Sequence, residues 1–206
     1  MTVTEIKPKN KSKYIICIDE KVAFVLYKGD LNHYHLNPGE EVESKEYEEI
    51  MTEVLPKRAL DRSYKLLMSK DYTVKQLKDK LIGDGYPMQI IEDTIEKLKN
   101  EKYLDDERFA ENYIFWKSKT KSRKRMIMDL KQRGIEFDAS SNVYDELLEK
   151  NDIDNEETII LAFLAKKGFA PDSATYEEKQ KMTQTLLRKG FSFDSIHNIL
   201  GYFPFS

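Results

Sequence analysis

Apolar positions are spaced differently near the start of the chain and beyond it. KYIICID (13–19) and VAFVLYK (22–28) are near-continuous runs of Ile, Val, Tyr and Phe, which is strand texture. Asp19-Glu20-Lys21 between them is short enough to close a hairpin. LNHYHL (31–36) alternates apolar and polar residues and is expected to add a third strand, after which Asn37-Pro38-Gly39 turns the chain. Ser44 is an N-cap candidate for a helix through KEYEEIMTEVL, which Pro56 should end.

Beyond Pro56 the spacing is helical, and it recurs. LKDKLIGDGY (77–86), MIMDLKQRGI (126–135) and MTQTLLRKGF (182–191) align on Gly85, Gly134 and Gly190, at spacings of 49 and 56. Each glycine follows a leucine (Leu81, Leu130, Leu186) and precedes an apolar residue (Tyr86, Ile135, Phe191), as at a helix C-terminus closed by a left-handed residue. YLDDERFAENYIF (103–115) echoes 49 residues on in DIDNEETIILAFL (152–164). That aligns Leu104-Asp105-Asp106-Glu107 with Ile153-Asp154-Asn155-Glu156, and Tyr64 stands one period before Tyr113. The longer second spacing is an insertion in the loop GFAPDSATY (168–176). Thr73 with Gln76, and Thr175 with Glu178, fit capping boxes, and Pro87 suits a first helical position. The expected fold is mainly α: three tandem three-helix repeats at 57–103, 104–152 and 153–206, forming an elongated curved body. An N-terminal β-hairpin plus helix, 1–56, precedes them.

Composition supports a packed core, with 40% hydrophobic residues. Cys17 is the only cysteine, so no internal disulfide can form, and it reads as a small core residue of the first strand. MTVTEIKPKNKSK lacks the apolar centre of a signal peptide, and no run approaches the roughly 20 apolar residues of a membrane span. A soluble cytoplasmic protein is expected.

The net charge of −3 conceals an uneven distribution. Lys117, Lys119, Lys121, Arg123, Lys124, Arg125, Lys131 and Arg133 are opposed by Asp129 alone, whereas 136–157 carries nine acids against Lys150. Met126, Ile127 and Leu130 should face inward, leaving Lys124, Arg125, Lys131 and Gln132 outside with Met128. Eight cations against one acid exceed what solubility needs. The strip is therefore the candidate contact surface for phosphate backbone or an acidic protein, without base-specific readout.

Other chemistry is weaker. Asp105 as N-cap, with Asp106 and Glu107 in the first turn, suits a helix start better than a metal site. The echo has Asn155 opposite Asp106, which also argues against a catalytic pair. Phe109, Tyr113 and Trp116 should then form the core stripe, with Phe115 packed between units. His33 and His35 would share a strand face, but a third zinc ligand is not in evidence. No glycine-rich phosphate loop or nucleophile motif is present. No catalytic residue, metal or cofactor is expected.

T-x-K-x-L-x-x-K-L-x-x-x-G-Y (73–86), I-x-x-x-I-x-x-L-K (91–99), YLDDERFAENYI and the NPGEEV turn (37–42) together resemble the RecX family of bacterial recombination regulators. The resemblance runs over nearly the whole chain, most strongly from 57 to 135. It implies a non-enzymatic modulator of the RecA recombinase in DNA repair, and a monomer is expected. Such a protein binds the RecA–single-stranded DNA filament and limits its extension, ATPase and strand exchange. The alternative from the residues alone is a stand-alone, sequence-independent DNA-binding module.

Overall fold

The N-terminal sheet has three antiparallel strands in chain order: β1 (Val3–Pro8), β2 (Lys13–Ile18) and β3 (Lys21–Tyr27). The structure, a computed structural model, describes residues 1–201, so 202–206 of the expected third repeat lie outside the described residues. The β2–β3 hairpin turns at Asp19 and Glu20, with φ of 47° and 66°, as a tight two-residue hairpin requires.

The third strand is not the expected one. LNHYHL falls partly in α1 (Lys28–His33) and partly in the loop after it, where His35 has φ 48°. Asp30 explains the departure. Its carboxylate accepts the Tyr27 amide hydrogen at 2.8 Å and forms a two-pronged pair with Arg58, at 2.6 and 2.8 Å. Burial would raise that carboxyl, but the Arg58 and Tyr27 hydrogen bonds prevail and hold it below its ordinary value. Leu31 and Tyr34, three apart, face the core as helical neighbours do. His33 and His35 thus share no strand face. β1 comes instead from VTEIKP, an edge strand whose charges and Pro8 disguise it, although Val3 is fully buried and Ile6 pairs with Ile16.

Pro56 does not end the first long helix. α2 (Ser44–Glu49) passes through a π-helical segment, Ile50–Val54, into α3 (Leu55–Leu67), with Glu43 rather than Ser44 in the N-cap position. Pro56 falls in the first turn of α3. There the wider π turn already interrupts the ordinary hydrogen-bond ladder, so its missing N–H is tolerated. Leu55 and Ala59 of this rod belong to the core under the sheet, with Ile16, Phe24 and Leu26. Leu60, Tyr64 and Leu67 pack on a second core, made by Leu77, Leu81, Ile91 and Leu98.

From α3 onward the helices form triplets. α4 (Val74–Asp84) and α5 (Met88–Asn100) complete the first. The second is α6 (Asp106–Lys117), α7 (Arg123–Gln132) and α8 (Phe137–Glu149); the third is α9 (Glu156–Lys166), α10 (Tyr176–Arg188) and α11 (Phe193–Leu200). The second and third triplets also have cores of their own, around Ile114, Met126, Leu130 and Tyr144, and around Ile160, Leu164, Leu186 and Ile196. The same turn closes the middle of each triplet. Gly85, Gly134 and Gly190 have φ of 93°, 92° and 86°. The next residue's N–H returns to the leucine carbonyl at 3.1–3.2 Å: Tyr86 to Leu81, Ile135 to Leu130, Phe191 to Leu186. Thr73 and Thr175 make the expected capping boxes, and Pro87 sits one residue before α5.

The chain divides into two compact units, Met1–Asp105 and the stretch from Asp106 on. Within the latter, α7 is joined to the third triplet. Ser122 caps α7 and donates its hydroxyl to the Lys189 carbonyl at 2.9 Å. The Glu156 carboxylate accepts the Arg123 N–H (3.1 Å) with one oxygen and the Ser192 N–H (3.0 Å) with the other. No helix among the described residues is long and apolar enough to cross a membrane.

Candidate interaction surface

The helix that opens with the acid cluster leads directly into the cationic strip. α6 begins at Asp106, directly after Asp105, with Asp106 and Glu107 in its first turn. The echo needs a shift of one. In the third triplet the N-cap is Asn155, whose side chain accepts the Thr158 N–H at 2.9 Å, so Asp154 is not the cap. Burial agrees: Ala110 and Ile114 in α6 match Ile160 and Leu164 in α9, at a spacing of 50. Among the described residues, no three His, Cys, Asp or Glu side chains are grouped as a metal site would require.

This register corrects the core stripe. Ala110 and Ile114 are the buried positions of α6, flanked by half-buried Phe109 and Tyr113. At about 100° per residue, Trp116 lies about 120° round the helix from Ala110. It is accordingly 72% exposed, and Phe115 is 42% exposed rather than packed. The two rings meet edge to face, with centroids 5.5 Å apart.

The eight basic residues divide into two sets. Asp129, buried in α7, organises part of the first. Lys121 Nζ lies 2.6 Å from its Oδ2, Arg125 Nε 3.3 Å from its Oδ1, and Tyr113 donates its hydroxyl at 2.7 Å. Burial alone would raise the Asp129 carboxyl, but the Lys121 and Tyr113 hydrogen bonds outweigh it and hold it below the usual range. The Lys121 ammonium is raised in turn, first by its hydrogen bond to Asp129 and then by that to Tyr113. Arg123 is held by Asp145 at 2.6 Å and Ser141 at 2.7 Å, over the Tyr144 ring. Arg133 lies over the rings of Tyr113 and Phe109.

Lys117, Lys119, Lys124 and Lys131 form the second set. They are exposed and make no ion pair among the described residues. Met126, Ile127 and Leu130 are buried, and Met128 stands 47% exposed among the lysines. Sequence reasoning therefore placed the strip's outward face and its one acid but missed two things: that Asp129 is buried and claims Lys121 and Arg125, and that an exposed aromatic pair stands beside the strip. The small Ala110 at the centre of the buried face was the available signal for the second.

Successive helix triplets with separate cores, closed by one repeated glycine turn, define an α-helical tandem-repeat protein. The chain belongs to the RecX family of regulatory proteins. The family's first three-helix domain matches residues 59–98, its second 105–139 and its third 155–200. The regulatory protein RecX of Caldanaerobacter subterraneus subsp. tengcongensis is 28% identical over 202 residues, spanning 97% of this chain and 98% of its own. That of Clostridium perfringens is 29% identical over 213 residues, spanning 97% and 94%. A crystal structure of regulatory protein RecX superposes with a TM-score of 0.60 at 22% identity, over 97% of this chain and 98% of the other. RecX from Lactobacillus salivarius gives 0.60 and 22%, over 71% and 95%. At that identity the likeness speaks for the fold.

Proposed function

We propose that this chain binds the RecA–single-stranded DNA filament and restrains its extension, ATPase and strand exchange, acting as a cytoplasmic regulator of recombination and repair without a reaction of its own. The observation that carries this reading is the strip on the second triplet. Four exposed lysines there make no ion pair among the described residues, in a family of regulators rather than enzymes. Such a surface attracts a phosphate-rich filament at long range and tolerates any base sequence.

The test is the ATPase of RecA on single-stranded DNA, titrated with the protein and with the triple variant Lys117→Glu, Lys124→Glu, Lys131→Glu. Dose-dependent inhibition by the wild type, lost in a folded triple variant, is expected. A triple variant that inhibits as well as the wild type removes the strip from the mechanism. A wild type that leaves the ATPase unchanged removes the reading itself.

A further inference from the structure

Trp116 is the chain's only tryptophan, and it is 72% exposed in the last turn of α6. Tryptophan is a highly buried residue on average, so this placement contributes little to the fold and asks for another account. Phe115 meets the ring edge to face, and Trp116 remains largely open to solvent. Apart from Phe115, the exposed residues within four positions of Trp116 along the chain are polar or cationic: Asn112, Lys117, Lys119 and Thr120. From Lys117 to Lys124 there is no acid.

Resting on the reading of the strip as the contact surface, we propose that Trp116, supported by Phe115, stacks on the unpaired bases of single-stranded nucleic acid whose phosphates are held by Lys117 and Lys119. A protein partner is disfavoured by the same surroundings. The core of a protein interface is depleted of lysine, whereas the exposed sequence neighbours of this ring include two lysines, an asparagine and a threonine. An aromatic face beside unpaired cations is instead the general form of a sequence-tolerant single-strand site. Duplex DNA keeps its bases stacked on one another and offers the ring nothing to cover.

The lone tryptophan is its own probe. Titration with single-stranded oligothymidylate at low salt should quench its emission, while a duplex of equal length should quench it little. Trp116→Phe should keep most of the affinity, and Trp116→Ala should lose about tenfold, read by anisotropy of a labelled oligonucleotide. The melting temperature should stay unchanged, because the side chain is exposed. Bound single strand without quenching, equal quenching by duplex, or a spectral change that appears only with the recombinase present would overturn the proposal, the last pointing to a protein contact. These outcomes separate from the wider reading. Inhibition of the filament by a protein whose tryptophan ignores DNA sinks the stacking proposal alone, and quenching by a protein that fails to inhibit sinks the wider reading alone.

Discussion

Lys121 Nζ lies 2.6 Å from Asp129 Oδ2, so one positive charge of the strip is committed to an acid inside its own fold. Asp129→Asn should therefore act on stability. Its carboxyl titrates below its ordinary value in the folded protein, so its contribution is fully present above the unfolded value of about 3.9. That contribution fades as pH falls through the lower folded value. At pH 7 the variant should lose about 1–3 kcal/mol. The gap to wild type should narrow below about pH 4, as thermal melts across the acid range would record.

Charge reversals should sort by internal pairing. Lys124→Glu and Lys131→Glu should leave the melting temperature unchanged and weaken binding to single-stranded DNA. The log–log salt dependence should flatten by about 0.7 for each phosphate that the variant no longer neutralises. Lys121→Glu should lower the melting temperature, because it sets a second carboxylate against Asp129. Equal effects from all three positions would mean that pairing with Asp129 does not decide the role of a lysine in this strip.

Gly85 and Gly39 both have positive φ, 93° and 89°, yet their substitutions should differ. Nothing lies within 4 Å of a Cβ placed on Gly39, whereas one on Gly85 would collide with Val25 of β3. Gly39→Ala should lose about 1–2 kcal/mol, the left-handed penalty alone. Gly85→Ala should lose clearly more, in denaturant melts run side by side.

Glu156 satisfies two backbone N–H groups on either side of the joint between the second and third triplets. Glu156→Ala and Ser122→Ala should each destabilise by about 1–3 kcal/mol. Combined, they should destabilise by less than the sum, since both open the same joint. Strict additivity in the double variant would show that the two act independently.

The repeated elements were legible in the sequence because they are local. A glycine at a helix end, the leucine four residues before it and a threonine three before a Gln or Glu each declare themselves within one or two turns. Features that depend on distant partners were not legible. Asp30 starts a helix where LNHYHL alternates like a strand, in part because Arg58, 28 residues on, holds it. Pro56 passes inside a helix because a π turn precedes it, which no spacing rule announces. At the candidate surface, the charge count located the strip and its outward face. Its internal division followed from Asp129, whose partners Lys121 and Tyr113 converge only through the packing of α6 on α7.

The rod from Ser44 to Leu67 is shared property of two cores, with Leu55 and Ala59 under the sheet and Leu60, Tyr64 and Leu67 on the first triplet. Neither core can melt without stripping cover from the other. The hairpin is thus no detachable appendage. Limited proteolysis should release no stable fragment from a cut within this rod, and hydrogen exchange should report one opening event for the sheet and the first triplet alike.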